Sequence, residues 1–295
     1  MGYKCFVCSC PEYDSATDEY RRCTNCGHET LLATDRQGFI INDVLSNEYT
    51  RRITSLDRFK SRVLSQFDAD LNRQLLLDIG SASGKFLYHN GSRYANSIGI
   101  EISPESLKYS RQTLDLNIVE NIDDVPDGIA MVTAWHSLEH IPANELIVLL
   151  DTLSHKIISG GRLVASVPNG ASRQYRWFGT SYAFFDVPNH LHQFTPTSLE
   201  CLLHRFGFHT VQTVSSWPYN KFGYIQGLLN MMTKTHNYLY YRLKRRSLQP
   251  SWCHDVSNGF LLIIAAPLGW LLGLFDTVDL KHQGVITTCF EKKNC

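Results

Sequence analysis

A short apolar run that ends in a glycine turn constrains this chain more than any other feature. Leu75-Leu76-Leu77-Asp78-Ile79 is the length of one buried strand, and Gly80-Ser81-Ala82-Ser83-Gly84 follows it directly. Lys85 to Asn90 then starts a helix. Strand, tight turn and helix in that order make the first half of a βαβ unit, since a parallel neighbour is reached only by a crossover. Glycines let such a turn approach a ligand closely, and the helix N-terminus behind it attracts negative charge. The spacing Gly80-x-x-x-Gly84 is not the Gly-x-Gly-x-x-Gly of dinucleotide sites, so a pyrophosphate is disfavoured. Further on, Ile98-Gly99-Ile100-Glu101 places an acid at the end of a second strand, where it can accept hydrogen bonds from a ribose.

The alternation continues downstream. Asn96 to Ile100 reads as a strand, and Ser103 caps a helix with Pro104 at its first position. Ile129 to Ala134 is the next strand, and Asn144 to Ile158 a helix that Gly160-Gly161 should end. Arg162 to Val167 is a further strand, and Thr197 to Phe206 a helix stopped by Gly207. Phe208 to Val214 and Gly284 to Glu291 are late strands with no full βαβ helix between them. Parallel strands with helices on both faces follow from this order. We divide the chain into a cysteine-bearing module at 1–30, a helical connector at 31–74 and an α/β domain at 75–295 interrupted by a helical insertion at 217–280. Within the connector, Ile53, Leu56, Phe59, Val63, Leu64 and Phe67 recur at helical spacing, as in an amphipathic helix laid on a larger body.

Four segments together carry a family resemblance. Leu77-Asp78-Ile79-Gly80-Ser81-Ala82-Ser83-Gly84-Lys85-Phe86-Leu87 resembles motif I of class I S-adenosylmethionine-dependent methyltransferases. Trp135-His136-Ser137-Leu138-Glu139-His140-Ile141-Pro142 is similar to their fourth motif, in the subgroup of ubiquinone-biosynthesis O-methyltransferases and many sugar and lipid methyltransferases. Gly160 to Asn169 is similar to that subgroup's fifth strand, and His190-Leu191-His192-Gln193-Phe194-Thr195 to a His-x-His-x-Phe-Thr segment of the same proteins. The resemblance implies a Rossmann-like, seven-stranded, mostly parallel sheet with an antiparallel last strand. It implies S-adenosylmethionine as cofactor, held at Asp78, Gly80, Ser81 and Gly84 on the methionine side. Glu101 and Ile102 would then face the ribose, Asn121 and Ile122 the adenine, and Trp135 and His136 the face of methyl transfer.

Methyl transfer from a sulfonium is an in-line displacement, so the protein mainly positions the partners and removes a proton from the acceptor. A histidine suits that task near neutral pH. His136 is the first candidate, with His190 and His192 reaching the pocket on a later loop, while His140 reads as packing the loop after the fourth strand. No Gly-x-Ser-x-Gly elbow is present, so nothing points to a nucleophilic triad.

Five of nine cysteines lie in the first 26 residues. Cys5-x-x-Cys8 and Cys23-x-x-Cys26 are two knuckles whose four thiolates close a tetrahedral shell, the signature of a structural zinc ribbon. Met1 to Pro11 holds no apolar run, so no secretory leader is expected, and clustered thiols then indicate a reducing, cytoplasmic setting.

In the insertion, Phe222, Ile225, Leu229, Met232, Leu239 and Leu243 fall on one helical face with His236, followed by Arg242, Lys244, Arg245 and Arg246. Gly259 to Phe275 carries no charge over seventeen residues and is broken by Pro267. Two readings stand side by side: peripheral contact with a membrane, or a lid and core over the site. Either suits a small-molecule acceptor with an apolar part, such as a sugar, a glycolipid or a quinone-like compound. Lys plus Arg equals Asp plus Glu at 28 each, which leaves no global basic field for nucleic acid. RNA or protein methylation docked by the ribbon, and cofactor binding without catalysis, are the alternatives.

Overall fold

The computed structural model describes residues 4–32, 50–68, 73–243 and 252–293. Near the N-terminus, β1 (Tyr13–Ser15), β2 (Tyr20–Cys23) and β3 (Glu29–Leu31) form a small antiparallel meander. Of the expected connector, residues 33–49 and 69–72 lie outside the described residues. Its described part is α1 (Ser55–Phe67), whose Thr54 and Asp57 form a reciprocal capping box. Phe59, Val63, Leu64 and Phe67 are buried as their spacing requires, whereas Ile53 is half exposed ahead of the helix.

The α/β domain follows as β4 (Leu75–Ile79), α2 (Lys85–Asn90), β5 (Asn96–Ile100), α3 (Pro104–Gln112), β6 (Ile118–Val119) and β7 (Ile129–Trp135). Then come α4 (Ala143–Lys156), β8 (Ile157–Pro168), α5 (Arg173–Phe178), β9 (His192–Gln193), α6 (Pro196–His204) and β10 (Phe208–Thr213). The chain continues through α7 (Trp217–Thr233), α8 (Tyr238–Leu243) and α9 (Trp252–Val278) to β11 (Val285–Lys292). Seven strands form one sheet in the order β10-β11-β8-β7-β4-β5-β6. β4, β5, β6, β7 and β8 are parallel, and β11 runs antiparallel between β8 and β10. This is the Rossmann-like sheet with an antiparallel last strand that the motifs implied. Every residue of β4 and of β7 is buried, as central parallel strands covered on both faces must be. Burying a Leu or Ile side chain there stabilises the fold by about 1.5–3 kcal/mol.

Three local expectations are corrected. Gly160-Gly161 does not end α4. The helix stops at Lys156, and both glycines lie inside β8, where the register with β7 shifts. The insertion is not one amphipathic helix, because Lys234 and Asn237 both adopt positive φ and separate α7 from α8. Pro267 does not break the apolar segment, which runs through it as part of the 27-residue α9. The basic run expected after α8 lies outside the described residues apart from Arg242, which pairs with Asp255.

The cysteine-bearing module is stitched into the domain. β3 pairs with β9, making a four-stranded sheet β1-β2-β3-β9 that joins residues about 160 positions apart. Thr195 Oγ1 donates to Cys26 O at 2.8 Å, and Arg205 donates to Val7 O at 3.1 Å. At the other end of the fold, α9 lies along α7 with Gly269 and Gly273 at the contact. A Cβ on Gly269 would stand 2.9 Å from the Ile225 backbone, and one on Gly273 3.0 Å from the Lys221 backbone. Small residues four apart allow this approach. Asp276, fully buried near the end of α9, accepts from Arg173 at 3.0 Å and Tyr224 at 3.2 Å and ties the helix to the domain.

Candidate active site

The turn after β4 is locked onto the end of β5. Gly80 and Ser81 both donate their backbone N–H to Ile100 O at 2.9 Å. Gly80 has φ 69°, and a Cβ there would lie 2.5 Å from Ser137 Cβ, so a side chain is excluded by both conformation and space. This close approach brings the loop after β7 against the glycine turn. Glu101, ending β5, accepts from Ala82 N at 2.7 Å through Oε2 and from Ile102 N and Ser103 N at 2.8 and 2.7 Å through Oε1. These bonds fix the carboxylate and leave a free lone pair on Oε2. Asp78 is fully buried and accepts from Thr133 Oγ1 at 2.6 Å; burial pushes its carboxyl up to about 7, against the lowering pull of Thr133 and Lys60. Ser81 Oγ, Ser137 Oγ and Trp135 Nε1 are buried around this turn with no hydrogen-bond partner. Unmatched buried polar atoms are what a polar ligand would satisfy.

Not every expected cofactor contact is equally placed. Ile102 is 60% exposed beyond Glu101. The Asn121 side chain caps a short 3-10 turn by accepting from Asp123 N at 3.2 Å, and Ile122 packs into the core beside Val125. Trp135 stands at the end of β7 against Phe86, with Lys60 of α1 over its ring.

The next residue, His136, adopts φ 56°, a left-handed conformation that side chains other than glycine rarely take. Its N–H bonds Ser166 O at 2.8 Å, which fixes it to β8. The ring lies between Phe184, stacked at 5.7 Å, and Tyr219 of α7, at 4.6 Å between centroids. Its Nδ1 is 3.3 Å from Glu139 Oε1. Glu139 is fully buried; burial alone would raise its carboxyl, but His136, His140 and His190 together pull it down to about 2. His190 is buried against the same group, its ring 4.6 Å from that of His140.

The profile of a family described as a methyltransferase domain matches residues 49–213, more than half of the chain. The chain belongs to that family. It is a class I S-adenosylmethionine-dependent methyltransferase. Among solved structures, the fold is shared with the cyclopropane synthase MmaA2 from Mycobacterium tuberculosis (TM-score 0.53, 14% identity, 82% of this chain and 87% of that one). It is also shared with a sarcosine dimethylglycine methyltransferase, so described, from Galdieria sulphuraria (TM-score 0.53, 12% identity, 87% and 94%). The [4+2]-cyclase SpnF has it too (TM-score 0.51, 13% identity, 88% and 89%). No curated protein sequence matches the chain.

In this methyltransferase, Gly80 and Ser81 are held against the end of β5 beside Glu101, with Asp78 buried at the end of β4. His136 and His190 are brought together through Glu139. His192 is not. It lies in β9 under the cysteine module, its ring against Phe6, His28 and Phe194 and its Nε2 bonded to Ile141 O at 3.0 Å. Walled in by the module, it is a packing residue rather than a base. Glu139, Ser137, Phe184 and Tyr219 were not singled out from the sequence. Only Glu139 left a signal: a carboxylate three residues after His136 and next to His140.

The four knuckle cysteines of the methyltransferase converge, their sulfurs all within 4.8 Å of one another. Cys5 Sγ is 3.7 Å from Cys26 Sγ, and Cys8 Sγ 3.5 Å from Cys23 Sγ. The donor set and its compactness fit a tetrahedral thiolate site.

Proposed function

We propose that this methyltransferase moves the methyl group of S-adenosylmethionine to a hydroxyl of a small acceptor with a large apolar part, a sugar, glycolipid or quinone-like compound, taken from a membrane surface. One observation carries the reading: α7 supplies the aromatic wall of His136 through Tyr219 and, along its length, packs on α9. Among the described residues, His254–Val278 of α9 is the helix long and apolar enough to cross a membrane, and only 22% of its apolar window is buried. Phe260, Ile263, Phe275 and Val278 point outward with more than 60% of their surface exposed. Such a face on a soluble protein marks an interaction with an apolar phase.

His136 takes the acceptor hydroxyl proton as the C–S bond breaks and the C–O bond forms. Glu139 orients the imidazole and stabilises its cation, and Phe184 with Tyr219 excludes water. S-adenosylmethionine supplies the activated methyl; Glu101 would hold its ribose and Asp78 and Ser81 its amino-acid end. The four thiolates of Cys5, Cys8, Cys23 and Cys26 would hold a structural zinc, which keeps the module folded in a reducing cytoplasmic setting.

The test uses radiolabelled S-adenosylmethionine with total lipid extract in vesicles. Label in the organic phase is expected, and His136→Ala should retain cofactor affinity while losing at least about a hundredfold in rate. Label confined to RNA or protein fractions, or full activity in His136→Ala, would overturn the reading.

A further inference from the structure

We propose that Glu139, His140 and His190 form a second metal centre, separate from the cysteine cluster, for a divalent transition-metal ion of the zinc, manganese or iron(II) kind. One ligand atom from each of the three lies within 4.8 Å of those of the others. Ligands about 2.1 Å from a common ion sit roughly 3–3.5 Å apart, so these side chains would draw together by up to about 1.5 Å around an ion. Glu139 has no exposed surface, and the groups facing it are imidazoles, His136 Nδ1 standing 3.3 Å from Oε1 with neither oxygen in a well-formed hydrogen bond. A buried carboxylate so weakly matched is costly unless a cation faces it.

The histidines are set as metal ligands are. His140 Nδ1 is 2.9 Å from Asn189 O, and His190 Nδ1 is 2.8 Å from Phe184 O. A carbonyl can only accept, so each Nδ1 carries the proton and each Nε2 keeps its lone pair. That outer bond to a backbone carbonyl fixes the tautomer of metal-bound histidine. Two imidazoles and a carboxylate suit borderline ions over calcium or magnesium. Three protein ligands leave coordination positions open, as catalytic rather than structural sites do. These positions adjoin His136, through which Glu139 also touches the methyl-transfer face. An acceptor oxygen bound there would lose its proton more readily. The proposal does not depend on the acceptor being a lipid.

The experiment loads the cysteine site of the full-length protein with one equivalent of Co²⁺, adds further Co²⁺, and follows total metal content and visible absorption. The thiolate site gives an intense sulfur-to-metal charge-transfer band. A second equivalent is expected to add only d–d absorption, and to bind at least about a hundredfold more weakly in Glu139→Gln and His190→Ala. Glu139→Gln preserves volume and decides the matter if His190→Ala does not fold. Folded wild type that binds cofactor yet takes up a single equivalent would overturn the proposal. So would a second equivalent that persists unchanged in Glu139→Gln.

Discussion

Asp78 shows how a single buried carboxylate couples the cofactor site to pH. Its folded carboxyl is pushed up to about 7 by burial, so below that value it is neutral and above it ionised. A cationic sulfonium ligand favours the ionised form. Cofactor affinity is therefore expected to rise with pH up to neutrality, by at most about tenfold per unit for one proton released. Calorimetric titration at several pH values should show this slope in the wild type and a flat profile in Asp78→Asn. The same group has a stability consequence of opposite sense. The folded chain retains a proton that the unfolded chain has released, so Asp78's contribution is lost as pH rises from about 4 to about 7. Asp78, Gly80 and Glu101 were legible in the sequence because strand, turn and acid each leave a local pattern. The difference between His190 and His192 was not. Two residues apart in one motif, they face Glu139 and Phe6 respectively, and only the pairing of β9 with β3 decides which goes where.

At the scale of elements, the parallel strands and their crossover helices could be read because burial on both faces leaves unbroken apolar runs. The failures share a cause: glycine and proline rank as local breakers, yet packing overrode them. Gly160-Gly161 sits within β8 because a strand tolerates a register shift there. Pro267 sits within α9 because a long helix closely packed on a neighbour survives one missing hydrogen bond. Gly269 and Gly273 matter more than Pro267, since they set the distance between α7 and α9. Gly273→Leu is expected to push the helices apart and destabilise the fold by about 1–3 kcal/mol, as overpacking does. Because α7 carries Tyr219, the same change should lower turnover more than cofactor affinity. Chemical denaturation and titration of the variant check both, and an unaltered turnover would show that the two ends of α7 are independent.

Across the whole molecule, the cysteine cluster acts at a distance through β3. Replacing Cys8 and Cys23 by serine should raise hydrogen exchange not only in residues 4–32 but also around His190 to Gln193, while the central strands β4 and β7 stay protected. Exchange confined to the module would mean that β9 holds its place alone. The sheet order carries a consequence for how the chain comes off the ribosome. β10 pairs only with β11, and β11 is made after α7, α8 and α9. Until it arrives, β8 and β10 are open edges, and α7 and α9 are made before the sheet is complete. A chain in that interval is exposed to aggregation, and early capture of the apolar face of α9 by a lipid surface or a chaperone would shorten the risk.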